Sequence, residues 1–551
     1  MILGKLREQE GQKGKAMAVE NLIIRQIMKE LVAVQSDTGT VSEKNAAKKI
    51  ASFFEADSYF SKHPECWGME DTGDFMGRTI VWALKKGKTP RTLILTGHYD
   101  AVEIDCYGEL KPFALQPEKL GEEILRRNLG NEQLREELRS GEWLAGRGTA
   151  DMKGGLAVGI YKTLTLPEDS ETGLLFMAVC DEENLSAGMR SAVDVLLDIR
   201  KSFQLEYVAS LVLEPQLPLA GNDFMLYNGS IGKVLPMIVA KGRLAHCGEP
   251  LKGLNAAHLI GEITSRIDLN TDLITEDFGL AAAPPIVQIM KDMKNTYDVS
   301  LPSMAVMCVN LLFLGENAID EAIRKLRRIC EEAVYAVMEK YEKACAFSES
   351  RGLLAQDQKV QTIPKVLMLS ELEEQMKREY SDFSQWKKAQ EKELRERIEA
   401  GSLTLQDASV LYIQRMIEQS GSDDPMVVIA VAPPYYPAVC NAYLADDGAE
   451  ITEKISKTAA AYGLNLSVIP YFTGIGDASY LSCTDPVGQR KVLDNLTLPA
   501  SIYDIPFESS AKLGAPAFYL GPRCRDIHQW CERVYMPDLE TIVPSMIDSL
   551  L

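Results

Sequence analysis

Apolar and polar positions alternate along this chain in two periods, and the switches between them outline the fold. From Val19 onward Leu22, Ile23, Ile27 and Leu31 recur at helical spacing, and Ser42-Glu-Lys-Asn ahead of Ala46 to Phe54 predicts a capped second helix. Short unbroken apolar runs then predict buried strands: Thr92-Leu-Ile-Leu-Thr, Leu174-Leu-Phe-Met-Ala-Val, Val208-Ala-Ser-Leu-Val-Leu and Ala517-Phe-Tyr-Leu. Helical stretches at Gly154 to Leu164 and Ala187 to Arg200 separate several of these runs. Strands alternating with helices predict an α/β domain with a mostly parallel sheet.

Between about Gly229 and Asp424 the pattern changes. Val234-Leu-Pro-Met-Ile-Val-Ala and Met304 to Leu314 are strand-like, Asn255 to Ile267 is helical, and Glu316 to Lys343 predicts a long amphipathic helix. An inserted α+β layer is expected, with Gly229 and Gly232 at its entry. Residues 370–420, rich in Glu, Lys, Gln and Arg, are read as solvated helices. Val427-Val-Ile-Ala-Val-Ala returns to buried-strand character. The expected organisation is therefore a loosely ordered tail over 1–18, a catalytic domain over 19–229 and 425–551, and an inserted lid-type domain over 230–424.

Composition narrows the function classes. With 59 Lys plus Arg against 79 Asp plus Glu, the formal charge is -20, which disfavours nucleic acid and anionic lipid as partners. No apolar run reaches the roughly 18 residues that span a bilayer, and the start Met-Ile-Leu-Gly-Lys-Leu-Arg turns charged too early for a secretory signal. The 11 cysteines form no CxxC pair, which points to reduced thiols and a cytoplasmic setting.

Only 5 histidines are present, and they single out the chemistry. His98 lies in Gly-His-Tyr-Asp, Asp151 in Gly-Arg-Gly-Thr-Ala-Asp-Met-Lys-Gly-Gly, Glu182 and Glu183 in Asp-Glu-Glu, Glu214 before Pro215, and His528 in Asp-Ile-His. Imidazoles with carboxylates are the ligand chemistry of borderline divalent metals in hydrolases. His98, the Glu pair, Glu214 and His528 each follow the carboxyl end of an expected strand, the edge where open α/β sheets bind ligands. On a strand, residues i and i+2 share a side, so Asp100 is expected to take the second N–H of the His98 imidazole. Of two adjacent glutamates, one can bind metal while its neighbour stays free as a proton acceptor. Asp151 also suits a helix N-cap, but the surrounding glycines leave room for a carboxylate shared by two metals. Three carboxylates and one hydroxide would balance two divalent cations.

Taken in order, these motifs resemble the metallopeptidase family of glutamate carboxypeptidase G, aminoacylase and succinyl-diaminopimelate desuccinylase, over residues 20–345 and 425–551. Gly474-Ile-Gly-Asp-Ala-Ser-Tyr-Leu and the segment from Gly521 to Val534 are most similar to the branch of the arginine-utilisation protein RocB. The resemblance implies two divalent metal ions, zinc foremost with manganese or cobalt also fitting, one held by His98, Asp151 and Glu214 and the other by Asp151, Glu183 and His528. It implies Glu182 as general base and then acid, Asp100 as the residue orienting His98, and a metal-bridging hydroxide attacking amide bonds of small peptides or N-acyl amino acids. Gly242-Arg-Leu-Ala-His246-Cys-Gly-Glu-Pro resembles the family's lid motif, which implies that His246 polarises the scissile carbonyl and that a homodimer can form. His63 and His258 match no motif and are assigned to structure. The family's Gly-Gly…Asn-x-x-Pro segment has no counterpart in register at Lys291 to Pro302, and this keeps a second reading open, a metal-binding or regulatory homologue without catalysis.

Overall fold

The computed structural model describes residues 13–217, 223–294, 296–354 and 359–551. The expected tail over 1–18 lies outside the described residues as far as 12; from Lys13 the chain is already helical, in a helix that runs to Val32. Two compact units divide the chain. The first comprises 1–230, 439–484 and 506–551, the second 231–438 and 485–505.

The first unit is built on an eight-stranded sheet in the order Trp67–Asp71, Thr79–Lys85, Gly173–Val179, Arg91–His98, Glu206–Val212, Ala517–Tyr519, Asp223–Tyr227 and Asn465–Ile469. Its four central strands, from Gly173–Val179 to Ala517–Tyr519, run parallel, and an antiparallel pairing adjoins them on each flank. The four apolar runs singled out in the sequence are these central strands. They are buried on both faces, as the unbroken Leu, Ile, Val and Phe runs require. Register aligns His98 with Val179 and Thr96 with Val212, so Val179 ends level with His98 and the third strand ends two residues earlier, just before Glu214.

The helix Lys153–Thr165 lies against this sheet with nearly every residue buried. Close approach is the reason for Gly155, where a Cβ would fall 2.1 Å from the carbonyl oxygen of Leu213. The helix Glu43–Glu55 forms where expected, but Ser42 has helical φ and ψ and makes no side-chain cap. The insertion from Asp105 to Trp143 folds as helical turns and two helices, Pro117–Arg126 and Glu132–Ser140, around a small core of Tyr107, Leu110, Leu120, Ile124 and Leu134.

The second unit carries a five-stranded sheet ordered Ile286–Asp292, Met304–Phe313, Gly232–Lys241, Met426–Tyr436 and Lys365–Met368. Two sequence expectations change here. Met426–Tyr436 pairs with Gly232–Lys241, so the chain returns to the first unit only at Val439, and it comes back once more over 485–505. An apolar run announces burial without announcing which sheet it joins, and that is why a boundary at 425 was read. Residues 370–420 are not a solvated excursion either. The helices Leu369–Glu379, Phe383–Glu399 and Leu405–Gln419 bury Leu372, Met376, Leu394, Tyr412, Ile413 and Met416 against the sheet face of Met237, Val239, Val306, Val428 and Ala430. Most of their charged residues form the outer faces, the ordinary amphipathic division of a surface helix, while the buried Glu373 accepts the Tyr412 hydroxyl at 2.8 Å.

Candidate active site

Where these three strands end, six side chains from distant parts of the sequence meet. His98 is the last residue of its strand, Glu182 and Glu183 follow Val179 by a short turn, and Glu214 follows Val212. Asp151 and His528 come from two segments flanking a small three-stranded sheet, in which Trp143–Ala145 pairs with Arg533–Tyr535. Pairing of Ala145 with Arg533 brings the glycine-rich turn of 146–151 beside the loop of 526–532.

Asp151 is the centre of the cluster. Its Oδ1 lies 2.9 Å from His98 Nε2 and its Oδ2 lies 3.1 Å from His528 Nε2. Glu214 Oε1 approaches His98 Nε2 at 3.4 Å, and Glu183 Oε1 approaches His528 Nε2 at 3.0 Å. Two sets of donor atoms result, His98–Asp151–Glu214 and Asp151–Glu183–His528, each within 4.8 Å of one another and sharing the aspartate. The N-cap alternative for Asp151 does not hold, because the helix starts at Lys153 and no side chain caps it.

The donor set fits divalent cations. Ligand atoms about 2.0–2.2 Å from one tetrahedral ion lie a little over 3 Å apart, close to the 2.9–3.4 Å that separates each imidazole Nε2 from its carboxylate oxygens. His98 is prepared for the role: its Nδ1 lies 3.0 Å from the main-chain carbonyl of Asp100, a partner that takes an N–H and leaves the Nε2 lone pair directed at the carboxylates.

The Asp100 side chain stands beside the same nitrogen. Its carboxylate is 3.5 Å from His98 Nδ1, and its two oxygens also accept the main-chain N–H groups of Glu182 and Glu183, each at 3.2 Å. Asp100 therefore faces the imidazole with both its carbonyl and its carboxylate while holding the main chain of the glutamate pair.

Electrostatics follow from packing like charges in a poorly solvated space. Burial pushes Glu182 well above the usual carboxylate range, and the nearby Glu214, Asp477 and Glu183 push it further while His98 opposes them. Burial likewise raises Glu183, and it raises Glu214 to about 7. For His98 burial favours the neutral ring, but Glu214, Asp100 and Asp151 outweigh it and the imidazole is raised. Hydrogen bonds to Asp151 and Glu183 raise His528 to about 10. Each of these shifts expresses a demand for positive charge inside the cluster.

Several supports carried no signal in the sequence reading. Arg78, buried, donates to Asp181 Oδ1 at 2.6 Å, Glu43 Oε1 at 2.8 Å and Asp74 Oδ2 at 2.6 Å. Asp181 has φ +65 and opens the turn bearing Glu182 and Glu183; its main-chain N–H donates to Glu43 Oε2 at 3.0 Å. Burial and the nearby Asp100 push Glu43 up to about 8. Glu532 pairs with Arg147 at 2.5 Å, and the position of Arg147 beside two glycines is the one hint the sequence offered. Asp477, from the Gly-Ile-Gly-Asp segment, is buried close enough to the cluster to feel it: burial raises its carboxyl to about 7, His98 and the Ser186 hydroxyl oppose this, and Glu214 and Asp100 add to it. His246 belongs to the second unit, where it is exposed and its Nδ1 accepts the N–H of Gly248 at 3.0 Å. His63 sits at the surface near Glu65, and His258 is exposed on the helix Ala256–Ile267.

Comparison with known proteins identifies the family and the fold. The family description "Peptidase family M20/M25/M40" matches residues 94–490. The uncharacterized protein YqjN of Bacillus subtilis is 31% identical over 95% of this chain and 94% of its own length. Protein RocB of the same organism is 29% identical over 94% of this chain and 92% of its own. Among solved structures, a tripeptidase from Staphylococcus aureus superposes with a TM-score of 0.53 over 96% of this chain and 97% of its own, at 13% identity, a likeness of fold. The chain belongs to peptidase family M20/M25/M40, a family of metal-dependent peptide hydrolases.

Proposed function

We propose that this protein hydrolyses amide bonds in small peptides or N-acylated amino acids at a site for two divalent cations, zinc foremost. His98, Asp151 and Glu214 would hold one ion, Asp151, Glu183 and His528 the other, with Asp151 shared. The observation that carries the reading is the placement of the two Asp151 oxygens, one against each imidazole, at 2.9 and 3.1 Å. When bound, the ions supply Lewis acidity toward the substrate carbonyl and a water of lowered pKa.

The remaining chemistry falls to the chain. Glu182, whose Oε2 stands 3.9 Å from His98 Nε2, is in neither ligand group and accepts the proton of the attacking water. In the second half of the cycle the same carboxyl hands that proton to the departing amine. Asp100 holds the main chain of Glu182 and Glu183, so base and ligand keep their separation through the exchange. His246 enters from its motif alone, as a donor to the carbonyl oxygen.

A panel of dipeptides and N-acyl amino acids offered to zinc-, manganese- and cobalt-loaded protein tests the proposal. Release of a free amine from at least one class supports it, and a metal-loaded chain silent on the whole panel favours the second reading, a metal-binding homologue without catalysis. The altered segment from Lys291 to Pro302 is the feature that supports that second reading.

A further inference from the structure

The pair Arg147–Glu532 takes no part in the chemistry above, yet it touches the main chain of two of the five proposed ligands. Glu532 is fully buried and divides its oxygens. Oε2 accepts Arg147 Nη1 at 2.5 Å, while Oε1 faces the main-chain N–H groups of Ala150 at 3.3 Å and Asp151 at 3.4 Å. From the same guanidinium, Nη2 donates to the carbonyl of His528 at 3.1 Å and to Cys106 Sγ at 3.2 Å. Arg147 is itself buried and lies over the ring of Tyr107, 5.3 Å from its centroid. Its own main chain is held too, its N–H donating to the carbonyl of Ala114 at 3.0 Å.

We propose that Arg147 and Glu532 are positioning residues: one buried ion pair links the backbone of Asp151 to the backbone of His528 and so sets the gap that the second ion must fill. This rests on the reading of those two residues as ligands. Side chains 3.1 Å apart come from segments 377 residues apart in the sequence, so a rigid connection has to be supplied locally. The carboxylate grips the turn that ends in Asp151; the guanidinium grips the loop that bears His528. His528 adopts φ +64, a conformation a non-glycine residue holds only when its surroundings enforce it, and the Arg147 bond to its carbonyl is such a constraint. Residues behind metal ligands commonly alter affinity by about 10–100-fold when removed.

A purely structural ion pair and a positioning pair differ in one respect. Replacing both members of a buried pair with apolar residues often leaves stability unchanged or raised. The test is a Co²⁺ titration of the full chain, followed by calorimetry and by the visible spectrum of the bound ion, on wild type, on the double variant Arg147→Met/Glu532→Leu and on Glu532→Asp. The wild type is expected to take up two Co²⁺. The double variant is expected to stay folded and bind one Co²⁺, with the other weakened about 10–100-fold and spectrally altered. Glu532→Asp keeps the charge but withdraws the carboxylate, and an intermediate weakening is expected; it carries the same readout if the double variant fails to fold. Folded variants that bind both ions with wild-type affinity and spectrum overturn the inference alone. A wild type that takes up fewer than two Co²⁺ overturns the metal reading and this inference with it.

Discussion

Individual residues at the cluster divide into those that meet an ion or a proton and those that hold them. Glu182→Gln removes the proton acceptor while leaving both ligand groups whole. Turnover on any substrate found is expected to fall by about 10²–10⁴-fold, with metal content by atomic emission unchanged. Retained turnover would remove Glu182 from the mechanism. Arg78→Met is expected to act differently, because it strips the cation from the buried carboxylates of Asp181 and Glu43. Losing one partner of such a pair costs about 3–5 kcal/mol, and a denaturant midpoint equal to that of wild type would show the network to be dispensable. The candidate glutamates and the two histidines could be singled out in the sequence because each stands in a short motif after an apolar run, and Asp151 because of the glycines around it. Arg78, Glu43 and Glu532 were not: each lies within ordinary polar surroundings, and only the fold reveals that their partners are buried. The second task of Asp100, accepting the main-chain N–H groups of Glu182 and Glu183, was not legible either, because it depends on where a turn from another strand is placed.

Among elements, the segment of 370–420 departs furthest from its appearance in the sequence. Its Lys- and Glu-rich composition masks an inner stripe of Leu372, Met376, Ile413, Met416 and Ile417 on the second unit's sheet. Ile413→Ala is expected to destabilise the protein by about 2–5 kcal/mol, read as a shift in the unfolding midpoint; a solvated helix would lose almost nothing. The link between the strand Met304–Phe313 and the helix Ala318–Glu349 carries a pH-sensitive residue. Burial raises the Glu316 carboxyl to about 7, with Asp485 and Asp277 adding to it. Unfolded, that group releases its proton near 4.5, so between 4.5 and about 7 the native chain binds more protons than the unfolded one. Its contribution is complete below 4.5 and is lost as pH rises through about 7. Glu316→Gln is therefore expected to narrow the gap in unfolding temperature between pH 5 and pH 8, and an unaltered gap would contradict the assignment. Central strands and long helices were readable because burial on both faces, or on one helical stripe, writes itself into the residue pattern.

For the whole molecule, the chain crosses between its two units after Ser230, Ala438, Thr484 and Ile505. The entry near Gly229 and Gly232 was visible in the sequence, whereas the later crossings were not, because Val427 to Ala432 has the composition of a buried strand in either sheet. All 11 cysteines are free thiols, and no helix among the described residues is long and apolar enough to cross a membrane. All five proposed ligands lie in the first unit, drawn from both sides of the excursion into the second. The central claim is that one aspartate joins two ions there, and anomalous diffraction at the metal edge, on crystals of zinc-loaded protein, tests it most directly. The account predicts two peaks, one among His98, Asp151 and Glu214 and one among Asp151, Glu183 and His528. A single peak, or peaks that leave Asp151 without an ion on either oxygen, would contradict it.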